Sequence, residues 1–356
     1  MFLYIILECV LQMNGERTVS GIFHLLKGKR SSQTLQDARS YKLDQYFGIY
    51  PSLSKQVLQA FIKRAANEQL ISIENEQFAV FREKGSDYLS NYKGPFPKYF
   101  SGMAEHGNVR DFQDRLQLHI QTVTHMSVNN PAFLPIIEQL KVQQWVKQQF
   151  SLNKARIKDV EVQLYLELAT LLNQLTCLEA ELFTSRLTGE SVVGETRDQI
   201  AQDHNISIQD VDVLLSHVFY FLYHQAKNSP SHYPELARCL EGLSSSSLIT
   251  QSAKITYRYL QRGFSIKDIA RKRQLKISTI EDHVVEAALV VPHFSIRTFI
   301  SEVDERRIVD AARALQTKRL KKIYESLEGE FTYFELRLVL AKEQHAQKEP
   351  TSYATS

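Results

Sequence analysis

Cysteine is scarce in this chain: its 356 residues include three, Cys9, Cys177 and Cys239. They lie far apart within apolar runs and none forms a CxxC pair. Neither a zinc site nor a disulfide framework is indicated, and the compartment reads as reducing. Long apolar runs are also lacking. The opening MFLYIILECVL is apolar for about 11 residues, but it has no basic stretch before it and no small-residue cleavage site, and it is too short to span a bilayer. It is expected to form the first core helix. No other segment approaches about 20 uninterrupted apolar residues, so no membrane association is expected. The short motifs of catalysis are missing too. Gly28-Lys29 lacks the upstream glycine of a phosphate loop, and there is no DExH-like motor motif, GxSxG, HExxH or GxGxxG. The expectation is a non-enzymatic chain without cofactors, although an active site built without short motifs stays open.

What is present is an ordinary globular composition, 43% hydrophobic and 23% charged, with enough length for three domains. The net charge of +3 is too mild to name a partner, but its distribution is informative. Residues 254–342 hold 18 Lys and Arg against 12 Asp and Glu, which favours a polyanion there. Within that segment, KITYRYLQRGFSIKDIARKRQLKISTIEDHVVEAA places two short amphipathic helices around a tight turn. Ile266, Ile269 and Ala270 fall on one face of the first, while Ile280, Val284 and Ala287 fall on one face of the second. Ser278 and Glu281 have the spacing of a capping box for that second helix. This pattern predicts a helix-turn-helix, with an ordinary helical hairpin as the alternative. Arg271, Lys272, Arg273 and Lys276 surround the turn where phosphates are usually met, and Ser278, Thr279 and His283 are the candidates for base edges. Gln274 stands where such turns often carry glycine.

The predicted fold is mainly α. Residues 1–90 carry helices at Phe2 to Met13, Val19 to Leu26 and Ser52 to Gln69. A hairpin of Leu70 to Ile73 and Phe78 to Arg82 follows, joined by Glu74, Asn75 and Glu76, and together these describe a winged helix. The Gly- and Pro-containing NYKGPFPKYFSG ends that domain. Residues 103–227 read as a helical bundle. Val160, Leu164, Leu168, Leu171, Leu175, Leu178 and Leu182 step by three or four, predicting one long helix. Ile208 to His224 is apolar on nearly every side, as for a buried member of the bundle. A mobile linker is expected from Lys227 to Ser252, including the serine run Ser244 to Ser247, then a helix-turn-helix domain at 253–342 and a flexible tail at 343–356.

A second basic cluster lies in LKGKRSSQT, Leu26 to Thr34. Lys27, Lys29 and Arg30 precede Ser31 and Ser32, a composition suited to phosphate contact through hydroxyls, amides and charge. The same residues equally describe a solvated loop ending in an N-cap serine.

Two resemblances converge on these segments. Residues 11–90 resemble the winged-helix RQC domain of RecQ-family helicases, through Val19 to Leu26, Leu26-Lys27-Gly28, and Leu43 with Tyr46-Phe47-Gly48. Residues 254–342 resemble the helicase-associated helix-turn-helix domain of RecQ-like proteins. The matching residues are Gly263-Phe264-Ser265-Ile266, Ile269-Ala270, Ser278-Thr279-Ile280, His283 and the run Tyr333 to Ala341. Along its full length the chain is similar to the bacterial YpbB proteins, which lack a motor. The resemblance implies an accessory role beside a RecQ-like helicase in DNA repair or recombination, on forked or branched DNA, in the cytoplasm and associated with the nucleoid. It departs from the RQC pattern in two places. The zinc-binding cysteines that precede that domain are absent, and the wing tip carries Glu74 and Glu76, which would repel phosphate. Two other readings stay open: an adaptor that docks a helicase or replication protein without DNA, and a transcription regulator dimerised by the leucine helix. The oligomeric state is not predicted.

Overall fold

Apolar residues at helical spacing, bounded by serine and threonine caps, set most of the elements. The computed structural model describes residues 1–243, 248–291 and 293–346. Its first helices are α1 Phe2–Met13, α2 Val19–Lys27, α3 Ser32–Ser40, α4 Lys55–Asn67, α5 Glu83–Ser90 and α6 Gly102–Ser127. They are followed by α7 Leu140–Asn153, α8 Ile157–Leu172, α9 Cys177–Ser185, α10 Arg197–Asp203, α11 Ile208–Asn228 and α12 Pro234–Arg238. The last are α13 Gln251–Gln261, α14 Ile266–Arg273, α15 Ile277–Val290, α16 Glu302–Ala314, α17 Leu320–Ser326 and α18 Tyr333–Ala346. Between α4 and α5, β1 Ile71–Glu74 and β2 Phe78–Phe81 pair antiparallel, with Ile71 opposite Phe81 and Glu74 opposite Phe78. Among the described residues no helix is long and apolar enough to cross a membrane.

The chain divides into two compact units. One comprises Met1–Ile6, Gly48–Ser52 and Asp87–Ser246, the other Leu7–Phe47, Leu53–Ser86 and Ser247–Ser356. This differs from the expected order, in which the winged helix and the helix-turn-helix were separate modules at opposite ends of a spacer. The reason is α3, which packs on α15 and α18 and so joins the two modules into one unit. SQTLQDARS shows little apolar periodicity, and the helix was not foreseen. Its inward side is largely polar, with Thr34, Gln36 and Asp37 buried beside Leu35 and Ala38.

Within that unit, α2 and α3 precede α4, which packs on β1 of the hairpin, and α2 packs on α3. The chain ahead of α2 lies along the hairpin as a third strand position: Thr18 bridges Phe78, and the Gly15 amide donates to the Ala79 carbonyl at 3.0 Å. Asn75 and Glu76 both take positive φ, 47° and 57°, at the wing tip.

The other unit is the expected helical bundle, and α11 is its buried member, with Val211, Leu214, Val218, Phe221 and Leu222 all in the core. The single long leucine helix is not found. It breaks between α8 and α9, where Thr176 and Glu179 form a reciprocal capping box: the Thr176 amide donates to the Glu179 carboxylate at 3.1 Å and the Glu179 amide to the Thr176 hydroxyl at 3.3 Å. The apolar stripe continues across the break in register, so periodicity alone could not reveal it. The first part of the expected linker is also ordered. There α12 opens at Pro234, and the Glu235 and Leu236 amides both donate to the Glu167 carboxylate at 3.0 Å. The serine run Ser244 to Ser247 lies outside the described residues, as does most of the expected tail. Helix α18 continues to Ala346, past the boundary expected at 342.

The cap at the break sets a test. Thr176→Ala removes one side of the capping box and should lower unfolding stability by about 1 kcal/mol, measured by urea denaturation.

Candidate nucleic-acid interface

The helix-turn-helix forms where the sequence places it. Helix α14 is capped by Ser265, whose hydroxyl accepts from the Asp268 amide at 3.2 Å. It ends with Gln274 in the left-handed region, φ 52° and ψ 41°, and the Leu275 amide returns to the Ala270 carbonyl at 3.0 Å. Gln274 thus adopts the conformation for which glycine is favoured, and the turn is made without it. Ile269, Ile280, Val284 and Ala287 are fully buried and hold α14 and α15 together.

The second helix differs from the expectation in two ways. Helix α15 begins at Ile277 with Lys276 as its N-cap and no side-chain cap, so the expected box of Ser278 and Glu281 does not form. Those two residues lie inside the first turns, two positions too late to cap. Eight of the 14 residues of α15 are buried, because α13, α14, α18 and α3 all pack against it. Only its start can meet a nucleic acid. There Lys276, Ile277 and Ser278 are exposed and Thr279 is half-buried. The first-turn amides of Ile277 and Ser278 find no backbone partner among the described residues. A helix N-terminus of this kind, with lysine beside it, is suited to a phosphate oxygen.

The candidate side chains separate by environment. Arg271 is 82% exposed and only loosely paired with Asp268 at 3.7 Å. Lys272 is exposed and lies over the Phe264 ring at 4.9 Å. Both are free to reach outward. Arg273 is not: its guanidinium donates to the Ser252 carbonyl at 2.8 Å, to the Ser252 hydroxyl at 2.9 Å and to the Thr256 hydroxyl. It fastens α14 to α13. His283 is buried, with its Nδ1 3.0 Å from the Thr256 hydroxyl, and cannot reach a base edge. Partners about twenty residues away in sequence took both residues from the expected site, and no local pattern announces them. Conversely, Arg262 and Lys267 are exposed near the α13–α14 corner and extend the basic rim, although sequence reasoning passed over them.

The N-terminal cluster resolves in a similar way. Ser31 is the N-cap of α3, accepting from the Thr34 amide at 3.3 Å, which is the capping alternative of the sequence reading. Ser32 is buried. Its hydroxyl donates to Asp282 on α15 at 3.2 Å and accepts from Arg337 on α18 at 2.7 Å, while Arg337 also donates to Asp282 at 2.7 Å. Asp282 is therefore paired. Lys27 donates to the Leu53 carbonyl at 3.2 Å, across the Phe23 ring. Lys29 and Arg30 remain exposed just ahead of α3. Ser32 is held against the second turn of α15, so the segment that carries these two cations ends beside that helix. Arg30 is close enough to act electrostatically on Glu286, further along α15. Two clusters expected at opposite ends of the protein thus lie in one compact unit.

The geometry defines a helix-turn-helix domain, and the sequence agrees: residues 252–340 match the family described as a helix-turn-helix domain. Over most of its length the chain is similar to Protein YpbB of Bacillus subtilis (strain 168), with 29% identity over 343 residues, 95% of this chain and 96% of that one. No solved structure gives a significant match.

His283 sets a pH test. Burial, aided by the Arg273 guanidinium and opposed by Asp282, holds its imidazole below the ordinary value of 6.5. The unfolded chain therefore binds a proton that the folded chain refuses. The stabilisation is complete above the unfolded value and is lost as pH falls through the folded one. Thermal unfolding between pH 7 and 5 should show a smaller acid-induced drop in Tm for His283→Gln than for the wild type.

Proposed function

We propose that the chain is a non-enzymatic DNA-binding accessory protein, engaging forked or branched DNA through the joined surface of its helix-turn-helix and α3. One observation carries this reading: α15 is largely buried but starts with an uncapped, lysine-flanked turn, and the exposed cations of both clusters lie in the same compact unit. Phosphates would be held by Arg271, Lys272 and Lys276, with Lys29 and Arg30 alongside. Ser278 is the side chain best placed for a base edge. With so little of α15 accessible, contacts to the backbone should outweigh sequence readout, as suits a protein that acts on DNA structure.

A RecQ-like helicase partner, a role in repair or recombination, and a nucleoid location are the finer part of the proposal. Their support is the resemblance of residues 11–90 and 254–342 to helicase-associated domains. The adaptor reading has its own support in the wing tip, where Glu74 and Glu76 are exposed and would favour a basic protein surface over DNA. The regulator reading loses the continuous leucine helix on which its dimer depended.

The test is binding to a labelled forked DNA across a salt series, comparing the wild type with the Arg271→Ala, Lys272→Ala, Lys276→Ala triple variant. The salt slope should fall by up to about three in the variant, roughly one per phosphate contact. An unchanged slope, or no binding at low salt, would transfer the function to protein docking.

A further inference from the structure

We propose that the helical unit contains a binding site for a small phosphate ester, in the cavity between α6, α11 and the segment Gly48–Ser52. This cavity measures about 450 Å³, a size that encloses small ligands. Helix α6 lines it with His106, Arg110, Gln113 and Gln117, which at steps of four, three and four form one polar face. Arg186 and Arg197 complete its charge, and all these residues belong to one compact unit.

The charges at this cavity are unbalanced. Asp212 is the carboxylate among the lining residues and is already committed: Arg197 donates to it at 2.9 Å and Tyr50 at 2.6 Å. Arg186 donates to the Glu195 carbonyl and has no ion-pair partner among the described residues. Its cationic form is disfavoured by burial and by neighbouring Arg197, with Asp212 opposing. Arg110 is exposed and has no ion-pair partner among the described residues; Asp114 is the carboxylate in its field. The nearby carboxylate Glu105 is taken up by Lys227. Two guanidiniums thus face the cavity without an ion pair. A phosphate monoester carries between one and two negative charges at neutral pH, and it would relieve the like-charge pair of Arg186 and Arg197.

The cavity wall is also aromatic. Tyr50 and Phe219 add ring surface, which favours an ester bearing an aromatic or apolar group over inorganic phosphate.

The experiment is calorimetric titration of the full chain, in buffer free of phosphate and sulfate, with adenosine monophosphate, adenosine and inorganic phosphate. The monophosphate should bind most tightly. Arg110→Gln and Arg186→Gln should each weaken it about tenfold or more. Arg110 is exposed, so its replacement leaves the fold intact and reads the cavity alone. The Arg271→Ala, Lys272→Ala, Lys276→Ala variant should bind the monophosphate normally, which separates this site from the DNA surface. The proposal is overturned by no binding at millimolar concentration, by wild-type affinity in both cavity variants, by inorganic phosphate binding as well as the ester, or by loss of binding in the triple variant.

Discussion

The arrangement of the helix-turn-helix unit depends on the burial of α15. Four helices cover it, and Ile280, Val284, Val285, Ala287 and Leu289 are removed from solvent at its centre. Each such side chain contributes on the order of 1.5–3 kcal/mol relative to exposure, so the helix is first a structural member. That constraint decides what it can read. A helix enclosed along its length cannot lie in a major groove; it can present only its first turn. The cations therefore collect at that end, and the polar groups behind it serve cohesion. Arg273 ties α14 to α13, and Arg337 ties α18 to both Asp282 and Ser32.

Placing the two basic clusters in one compact unit changes how the protein would hold DNA. Two modules on a flexible spacer would gain from effective concentration and tolerate many spacings. Two clusters fixed through α3 present a preset spacing instead, so little order is lost on binding and DNA shape becomes the discriminating feature. The wing stands apart from this scheme. Its tip is acidic, and its backbone is shaped by the left-handed residues Asn75 and Glu76 rather than by a basic or aromatic side chain.

The sequence revealed what depends on local pattern. The helix-turn-helix, the hairpin, α1, α2, α4 and the buried character of α11 all follow from spacing and turn chemistry over short windows. Contacts made across long stretches of chain stayed hidden. SQTLQDARS becomes a helix whose Ser32 is buried because Asp282 and Arg337, 250 and 305 residues away, are there to meet it. Arg273 and His283 have the spacing of site residues, but Ser252 and Thr256 engage them instead. The break in the leucine helix was readable: Thr176-Cys177-Leu178-Glu179 is a capping-box sequence, but the apolar stripe running through it drew the eye past. At Ser278 and Glu281 the same motif misled, because Lys276 starts the helix two residues earlier.

The most direct measurement is amide hydrogen exchange with and without a forked DNA. The account predicts slowed exchange at Ile277 and Ser278 and across Lys29 to Ser31 together, with the leucine-rich helices unchanged. Protection confined to the helical unit or the wing, with the start of α15 exchanging as in the free protein, would contradict it.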